Sequence, residues 1–141
     1  MQRDEQVIKV VREWMEKAEN DPKNAAFTLK MGEDCPTDTV CFHAQQCVEK
    51  YLKAFLTFKT VDFPKTHDMG ELLALISESA RPQLAVAEQR RLTAYATVTR
   101  YPGDYEPIPL AEVRRAVAIA RRVRKEVRAL LPKNALRERR K

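Results

Sequence analysis

The sequence offers few side chains that can move a proton near neutral pH. It contains only two histidines, His43 and His67. His43 lies three residues before Gln46 and seven before Lys50, so a helix would place all three on one face. Such a histidine is either a general acid or base, or a buried bundle residue bonded to a neighbour. We treat His43 as a candidate catalytic residue and His67 as part of a helix start.

The sequence carries no metal site and no familiar catalytic motif. Cys47 follows His43 by four residues, but this pair alone supplies fewer ligands than structural zinc needs. Glycine-rich phosphate loops, the zinc-protease motif and the serine-hydrolase motif are all missing. We therefore predict no metal, no cofactor and no conventional hydrolase.

Polar residues interrupt the apolar stripe of the segment 41–56. The width of this stripe is typical of a central bundle helix. Polar groups in such a place cost desolvation energy unless they are paired. They form either a solvated rim or a ligand-binding surface. The polar residues of this patch are Gln45, Gln46, Glu49, Lys50 and Lys53, of which Gln46, Lys50 and Lys53 are the candidate ligand contacts.

A loop rich in proline begins at Arg100 and holds the second candidate site. Its Pro and Gly residues favour a rigid turn, which would hold one guanidinium and two phenols together. Arg100 could bind phosphate through two hydrogen bonds, and Tyr101 and Tyr105 could stack on a base. Alternatively, Arg100 pairs with Asp104 or Glu106 and only braces the turn.

Hydrophobic periodicity predicts an all-α, up-and-down bundle of four to five helices. Pro22 is expected to kink the first helix or to restart it with Asp21 as the cap. Asp68 or Thr66 is expected to cap the third helix. The predicted helices run from about residue 4 to Gly32, over 37–58, through Leu72–Ile76, over 83–99 and over 110–131.

The charge is uneven along the chain. Residues 110–141 hold twelve Lys and Arg against three Asp and Glu, although the net charge of the whole chain is only +6. This pattern indicates either a solvated helix face or an electrostatic surface for RNA, nucleotide phosphates or an acidic partner. We predict one domain over 1–131 and a basic, disordered tail over 132–141. The cations opposite the apolar side of the last helix are Arg114, Arg121, Lys125 and Arg128, and Arg121 is a candidate ligand contact.

Composition indicates a globular protein of the cytoplasm. Hydrophobic residues make up 44% and charged residues 33% of the chain, and only three glycines occur. The three cysteines are odd in number and the N-terminus has no apolar signal region, which favours reduced thiols. No stretch reaches the roughly 18 apolar residues of a membrane span, so no membrane association is expected.

Four stretches of the sequence resemble the HEPN family, the nucleotide-binding helical domains of higher eukaryotes and prokaryotes. Together with the basic last helix they cover nearly the whole chain. The combination of CFHAQQ-x-x-EK-x-LKA, KTHD and RYP carries the resemblance. The stretches are WMEKAENDPKNA (14–25), CFHAQQCVEKYLKAFL (41–56), FPKTHDMGELL (63–73) and LTAYATVTRYPGDY (92–105).

The resemblance implies a helical bundle that usually forms a homodimer. Members often work beside a minimal nucleotidyltransferase in pairs similar to toxin–antitoxin or phage-defence systems. Many are metal-independent ribonucleases with an R-x4-6-H motif in a cleft between two protomers. Arg100 matches the motif arginine, but no histidine follows within ten residues. Tyr105 stands where the histidine of an R-x4-H motif would be. A phenol, with a pKa near 10, is a poor general base at neutral pH.

Three functions follow as alternatives. The first is a nucleotide- or RNA-binding module with a nucleotidyltransferase partner. The second is an active ribonuclease in which Arg100 stabilises phosphate charge and His43 or Tyr105 transfers a proton. The third is a dimerisation or scaffold domain without a ligand. The resemblance also implies another role for Tyr105, in which its hydroxyl accepts a nucleotidyl group from the partner enzyme.

Overall fold

The structure is a computed structural model that describes residues 5–97 and 107–136. Within these two segments the chain forms only helices and loops, which confirms the all-α fold class. A short 3-10 helix, Gly32–Asp34, lies between the first two α-helices. The α-helices are α1 (Glu5–Leu29), α2 (Thr37–Phe58), α3 (Met69–Ala74), α4 (Val86–Thr97), α5 (Leu110–Leu130) and α6 (Lys133–Leu136).

Helix α2 is the centre of the bundle and packs against α1, α3, α4 and α5. Its predicted apolar stripe is covered within the single chain, and Leu52 and Tyr51 are completely buried. No part of this stripe is left exposed for a partner protein.

The long helices alternate in direction, as an up-and-down bundle requires. Asp21 near the end of α1 pairs with His43 near the start of α2, and Trp14, earlier in α1, lies beside Lys53, later in α2, so these helices are antiparallel. Tyr95 near the end of α4 bonds to Glu112 near the start of α5, and Glu88 near the start of α4 lies 3.9 Å from Arg122 in the second half of α5, so this pair is antiparallel as well. The chain therefore presents both ends of α2 to side chains from other helices.

Pro22 lies inside one continuous α1 rather than at a restart. The expectation that Asp21 caps a second helix is therefore wrong. Ala18 and Ala25, on either side of the proline, are both buried in the same core. Packing of both halves of α1 onto α2 holds the helix together although the proline lacks one backbone donor. Asp21 points inward instead and becomes a buried partner of α2.

The predicted cap of α3 is confirmed, although the helix is shorter than expected. The side chain of Asp68 accepts a hydrogen bond from the Glu71 amide at 3.0 Å. Thr66 in turn accepts a bond from the Asp68 amide at 3.0 Å. Both side chains thus fix the start of α3, and the helix ends at Ala74.

Part of the predicted disordered tail is ordered. Lys133–Leu136 form the helical turn α6, which packs against α1. Ala135 is buried, and the Arg12 guanidinium donates to the carbonyl oxygen of Asn134 at 2.6 Å. Burial of one small side chain and one long-range hydrogen bond tie this turn to α1, which the charge pattern of the tail did not reveal.

Candidate functional site

The first polar cluster joins α1 to α2 through Asp21. One carboxylate oxygen lies 2.9 Å from Nδ1 of His43, and the other accepts a bond from Lys50 Nζ at 2.9 Å. Asp21 is only 4% exposed, whereas the His43 side chain is 24% exposed. A ring whose Nδ1–H donates to this carboxylate presents Nε2 as a proton acceptor. The geometry therefore gives His43 a partner and leaves one ring nitrogen available for chemistry.

The second polar cluster is built around Glu49 and is more deeply buried. Glu49 accepts hydrogen bonds from Gln45 at 2.6 Å and from Lys53 at 3.0 Å, and its Oε1 lies 2.7 Å from Nδ1 of His67. Gln46 extends the cluster by donating to Gln45 at 2.7 Å. His67 thus does more than begin a helix, because it joins the loop before α3 to the centre of α2.

Lys53 does not belong to a solvated rim, the first of the two alternatives for this patch. It is only 7% exposed, and its ammonium is bonded to Glu49. The ammonium also lies 5.7 Å from the centroid of the Trp14 ring and 5.8 Å from that of Phe63. These two rings lie 6.2 Å apart and supply cation–π attraction to the buried charge. Lys53 is therefore a core residue whose charge is balanced inside the bundle.

The Glu49 carboxylate is held in its charged form. Burial acts to raise the pKa of Glu49, but hydrogen bonds from His67 and Lys53 outweigh it and lower the pKa below its ordinary value. The cluster is consequently an internal ion pair rather than a proton donor at neutral pH.

A third cluster, which the sequence did not predict, joins α1, α2 and α5 at Glu19. Arg124 donates two hydrogen bonds to this carboxylate, at 2.6 and 2.7 Å, and the Tyr51 hydroxyl donates a further short one. Burial opposes the charge, but the bonds from Arg124 and Tyr51 lower the pKa of Glu19. The only signal in the sequence was Tyr51 itself, since a buried phenol on an apolar stripe needs a hydrogen-bond partner.

Acid should weaken the fold through these two carboxylates. Each has a folded-state pKa below its ordinary value of 4.5, so the unfolded chain binds protons first as the pH falls. Their stabilisation is fully present well above the ordinary pKa of 4.5 and is lost progressively as the pH falls below that value, through the lowered folded-state pKa. Denaturant unfolding over this range should show a steeper loss for the wild type than for Glu19→Gln or Glu49→Gln. Glu16→Gln, an exposed change on α1, should keep the wild-type slope.

The buried cysteines are poor candidates for nucleophilic chemistry. Burial raises the pKa of Cys41 and that of Cys47 to about 12 each. A thiol must ionise to attack, so both remain protonated and inert at neutral pH. In the described segments no group of three or more His, Cys, Asp or Glu is arranged to hold a metal ion.

Helix α5 presents a row of cations to solvent. Its buried side, which includes Val113, Ala120 and Val123, packs on α2. On an adjoining side, Arg114, Arg121 and Lys125 are exposed. Their spacing of seven and four residues keeps them in one line along the helix. We call these three residues the basic stripe.

The members of the basic stripe differ from Arg122 and Arg124 in having no partner within the described residues. Within residues 5–97 and 107–136, none of the three makes a hydrogen bond or ion pair. Arg124, by contrast, is bound by Glu19, and Arg122 donates to the carbonyl oxygen of Gln83 at 2.6 Å. Charges that no protein group neutralises are the ones available to an anionic ligand.

The structure brings the predicted site residues together only in part. His43 and Lys50 share Asp21, and Gln46 and Lys53 join the Glu49 cluster. Arg121 lies apart from both, on the exposed side of α5. The remaining predicted site residues, Arg100, Tyr101 and Tyr105, lie outside the described residues.

Comparison with protein families supports the helical-bundle class that this fold defines. The family model of the HEPN domain matches residues 11–130. The chain therefore belongs to the HEPN family, and with it to the nucleotide- and RNA-related modules in general. Comparison with curated proteins and with solved structures gave no significant match. None of the helices in the described residues is long and apolar enough to cross a membrane.

Proposed function

We propose that this protein is a nucleotide- or RNA-binding module that engages the phosphate backbone through the basic stripe of α5. The observation that carries the proposal is the row of three exposed cations that have no partner among residues 5–97 and 107–136. With a rise of about 1.5 Å per residue, the stripe extends about 16 Å along the helix, which is enough to follow several phosphates of a single strand. Arg supplies forked hydrogen bonds to phosphate, and Lys supplies a point charge.

The proposal is tested by titrating a fluorescent single-stranded RNA into the wild type and into the variant Arg114→Ala/Arg121→Ala/Lys125→Ala. We expect affinity to fall at least about tenfold at physiological salt, because the variant loses three phosphate contacts. The matched control removes three exposed lysines of α1, Lys9, Lys17 and Lys23. Equal losses in the two variants would mean that only net charge matters, and the basic stripe would not be a site.

We also propose a minimal nucleotidyltransferase as the partner, in a pair similar to toxin–antitoxin or defence systems. The support is the family resemblance, since partner proteins of this kind accompany many similar domains. Co-expression with a small nucleotidyltransferase encoded beside this chain, followed by co-purification, tests it. Separate elution of the two proteins would count against the pair.

A homodimer remains a proposal that rests on the family. Because the stripe of α2 is already covered, a dimer has to use another surface. The exposed apolar side chains of Phe27 and Met31, near the end of α1, support one such surface. Light scattering should give twice the mass of the 16.3 kDa chain. The variant Phe27→Ser should shift this mass towards the monomer if the surface is correct.

A metal-independent ribonuclease is the second candidate, and the Asp21–His43 pair favours it. A carboxylate that orients an imidazole is the arrangement that many enzymes use for a general base. RNA cleavage in the presence of a chelator, abolished in His43→Gln, would support catalysis over binding alone. If RNA binds and stays intact, the result would support the binding module. If RNA does not bind, the result would favour the third alternative, a scaffold domain without a ligand.

A further inference from the structure

The groove between α4 and α5 lies apart from the basic stripe and from the three polar clusters. It encloses a cavity of about 290 Å³ that is lined by three arginines, two glutamates and an apolar floor. This volume is close to the lower end of small-molecule sites, about 300–1,000 Å³. None of its residues belongs to the basic stripe or to the clusters around Asp21, Glu49 and Glu19.

The two carboxylates of the groove are already engaged by protein donors. Glu112 accepts a hydrogen bond from the Tyr95 hydroxyl at 2.5 Å. Glu88 accepts one from the Ala85 amide at 2.9 Å and lies 3.9 Å from the Arg122 guanidinium. Burial and the bond to Glu112 raise the pKa of Tyr95, so its hydroxyl keeps the proton that it donates. These contacts fix both carboxylates against the walls of the groove.

Two cations of the same groove are unengaged. Arg91 and Arg115 both line the cavity and are exposed. Neither has a hydrogen-bond or ion-pair partner within the part of the chain that the structure describes. The groove therefore has two free guanidinium groups beside carboxylates that are already bonded. This imbalance favours a ligand with negative charge.

The apolar floor and the two carboxylates further restrict the chemical class of the ligand. Ala118 and Ile119 line the groove, are both accessible, and supply apolar surface on which a flat ring can pack. Glu88 and Glu112 each retain lone pairs that can accept hydrogen bonds from hydroxyl or amino groups. Bare phosphate would use the arginines only, and it would be repelled by the glutamates. A nucleoside monophosphate uses the guanidiniums, the floor and the carboxylates together.

We infer that the α4–α5 groove binds a nucleoside monophosphate, with the phosphate on Arg91 and Arg115 and the base on the floor formed by Ala118 and Ile119. This inference rests on the proposed function, because it names a ligand for a nucleotide-binding module. It uses different side chains from the basic stripe, so each site can be tested without the other.

Calorimetric titration of the full chain with AMP tests the inference, with adenosine and inorganic phosphate as comparison probes. AMP should bind at least about tenfold more tightly than either probe, since neither of them fills all three parts of the groove. Arg91→Ala/Arg115→Ala should lower AMP affinity at least about tenfold, because it removes both charged contacts. Circular dichroism should confirm that this surface variant folds.

The control variant is Arg114→Ala/Arg121→Ala, which removes two arginines of the same helix outside the groove. It should bind AMP like the wild type and bind RNA more weakly. The inference is overturned if AMP does not bind, if phosphate or adenosine binds equally well, or if both double variants behave alike towards AMP. Loss of RNA binding in the control with no AMP binding in the wild type would overturn the groove and keep the proposed function. AMP binding without any RNA binding would keep the groove as a site and overturn the proposed RNA-binding function of the basic stripe.

Discussion

Replacing Glu49 with leucine should lower the free energy of unfolding by about 3–5 kcal/mol, the largest single effect that we expect. The substitution leaves the Lys53 ammonium almost completely buried without its carboxylate. It also removes the acceptor for Gln45 and the partner of His67. Denaturant unfolding followed by circular dichroism measures the loss.

The double variant Glu49→Leu/Lys53→Met separates the charge from the packing. Removing both members of a buried ion pair is often nearly neutral, whereas removing one is strongly destabilising. The double variant should therefore recover most of the stability that Glu49→Leu loses. A loss below about 1 kcal/mol for Glu49→Leu would mean that Lys53 reaches water and that the cluster is not a buried ion pair.

Replacing Asp21 with alanine should have the second largest effect, a loss of about 2–3 kcal/mol. Lys50 and His43 both lose their partner, although each is partly exposed and can take up water in exchange. The matched control is Glu16→Ala, an exposed carboxylate on the same helix, which should change stability by less than about 0.5 kcal/mol.

A second variant at this position, Asp21→Asn, separates a structural from a catalytic role of the Asp21–His43 pair. Asp21→Asn removes the charge at nearly constant volume, and it should lose less stability than Asp21→Ala. If the protein cleaves RNA, Asp21→Asn should reduce the rate more than the binding of RNA, because the imidazole loses its orienting carboxylate. Equal stability of Asp21→Ala and the wild type would show that the pair does not hold α1 to α2.

Patterns local to one helix predicted much of the fold. The bounds of α2, 37–58, and the cap at Asp68 follow from apolar spacing and from a single side chain near the helix start. Whether α1 continues through Pro22 could not be predicted from a local pattern, because it depends on packing of both halves of α1 against another helix. The order of α6 likewise depends on Arg12, more than a hundred residues away in the chain.

The candidate site was predictable in its residue types but not in its partners. The pattern of α2 marked Glu49 and Lys53 as unusual, yet whether they line a rim or a core depends on Trp14 and His67 from other segments. Glu19 is an ordinary acidic residue in the sequence, and only the fold places it beside Tyr51. Long-range pairing of polar groups is set by tertiary packing, which a periodic pattern does not encode.

The salt dependence of RNA binding tests the central claim most directly. For a single strand, the slope of log K against log salt concentration changes by about 0.7 for each phosphate contact. The variant that removes Arg114, Arg121 and Lys125 should therefore have a slope smaller by about 2 than the wild type. The control that removes Lys9, Lys17 and Lys23 should keep the wild-type slope. Equal slopes for the wild type and the stripe variant would contradict the account, because the basic stripe would then contact no phosphate.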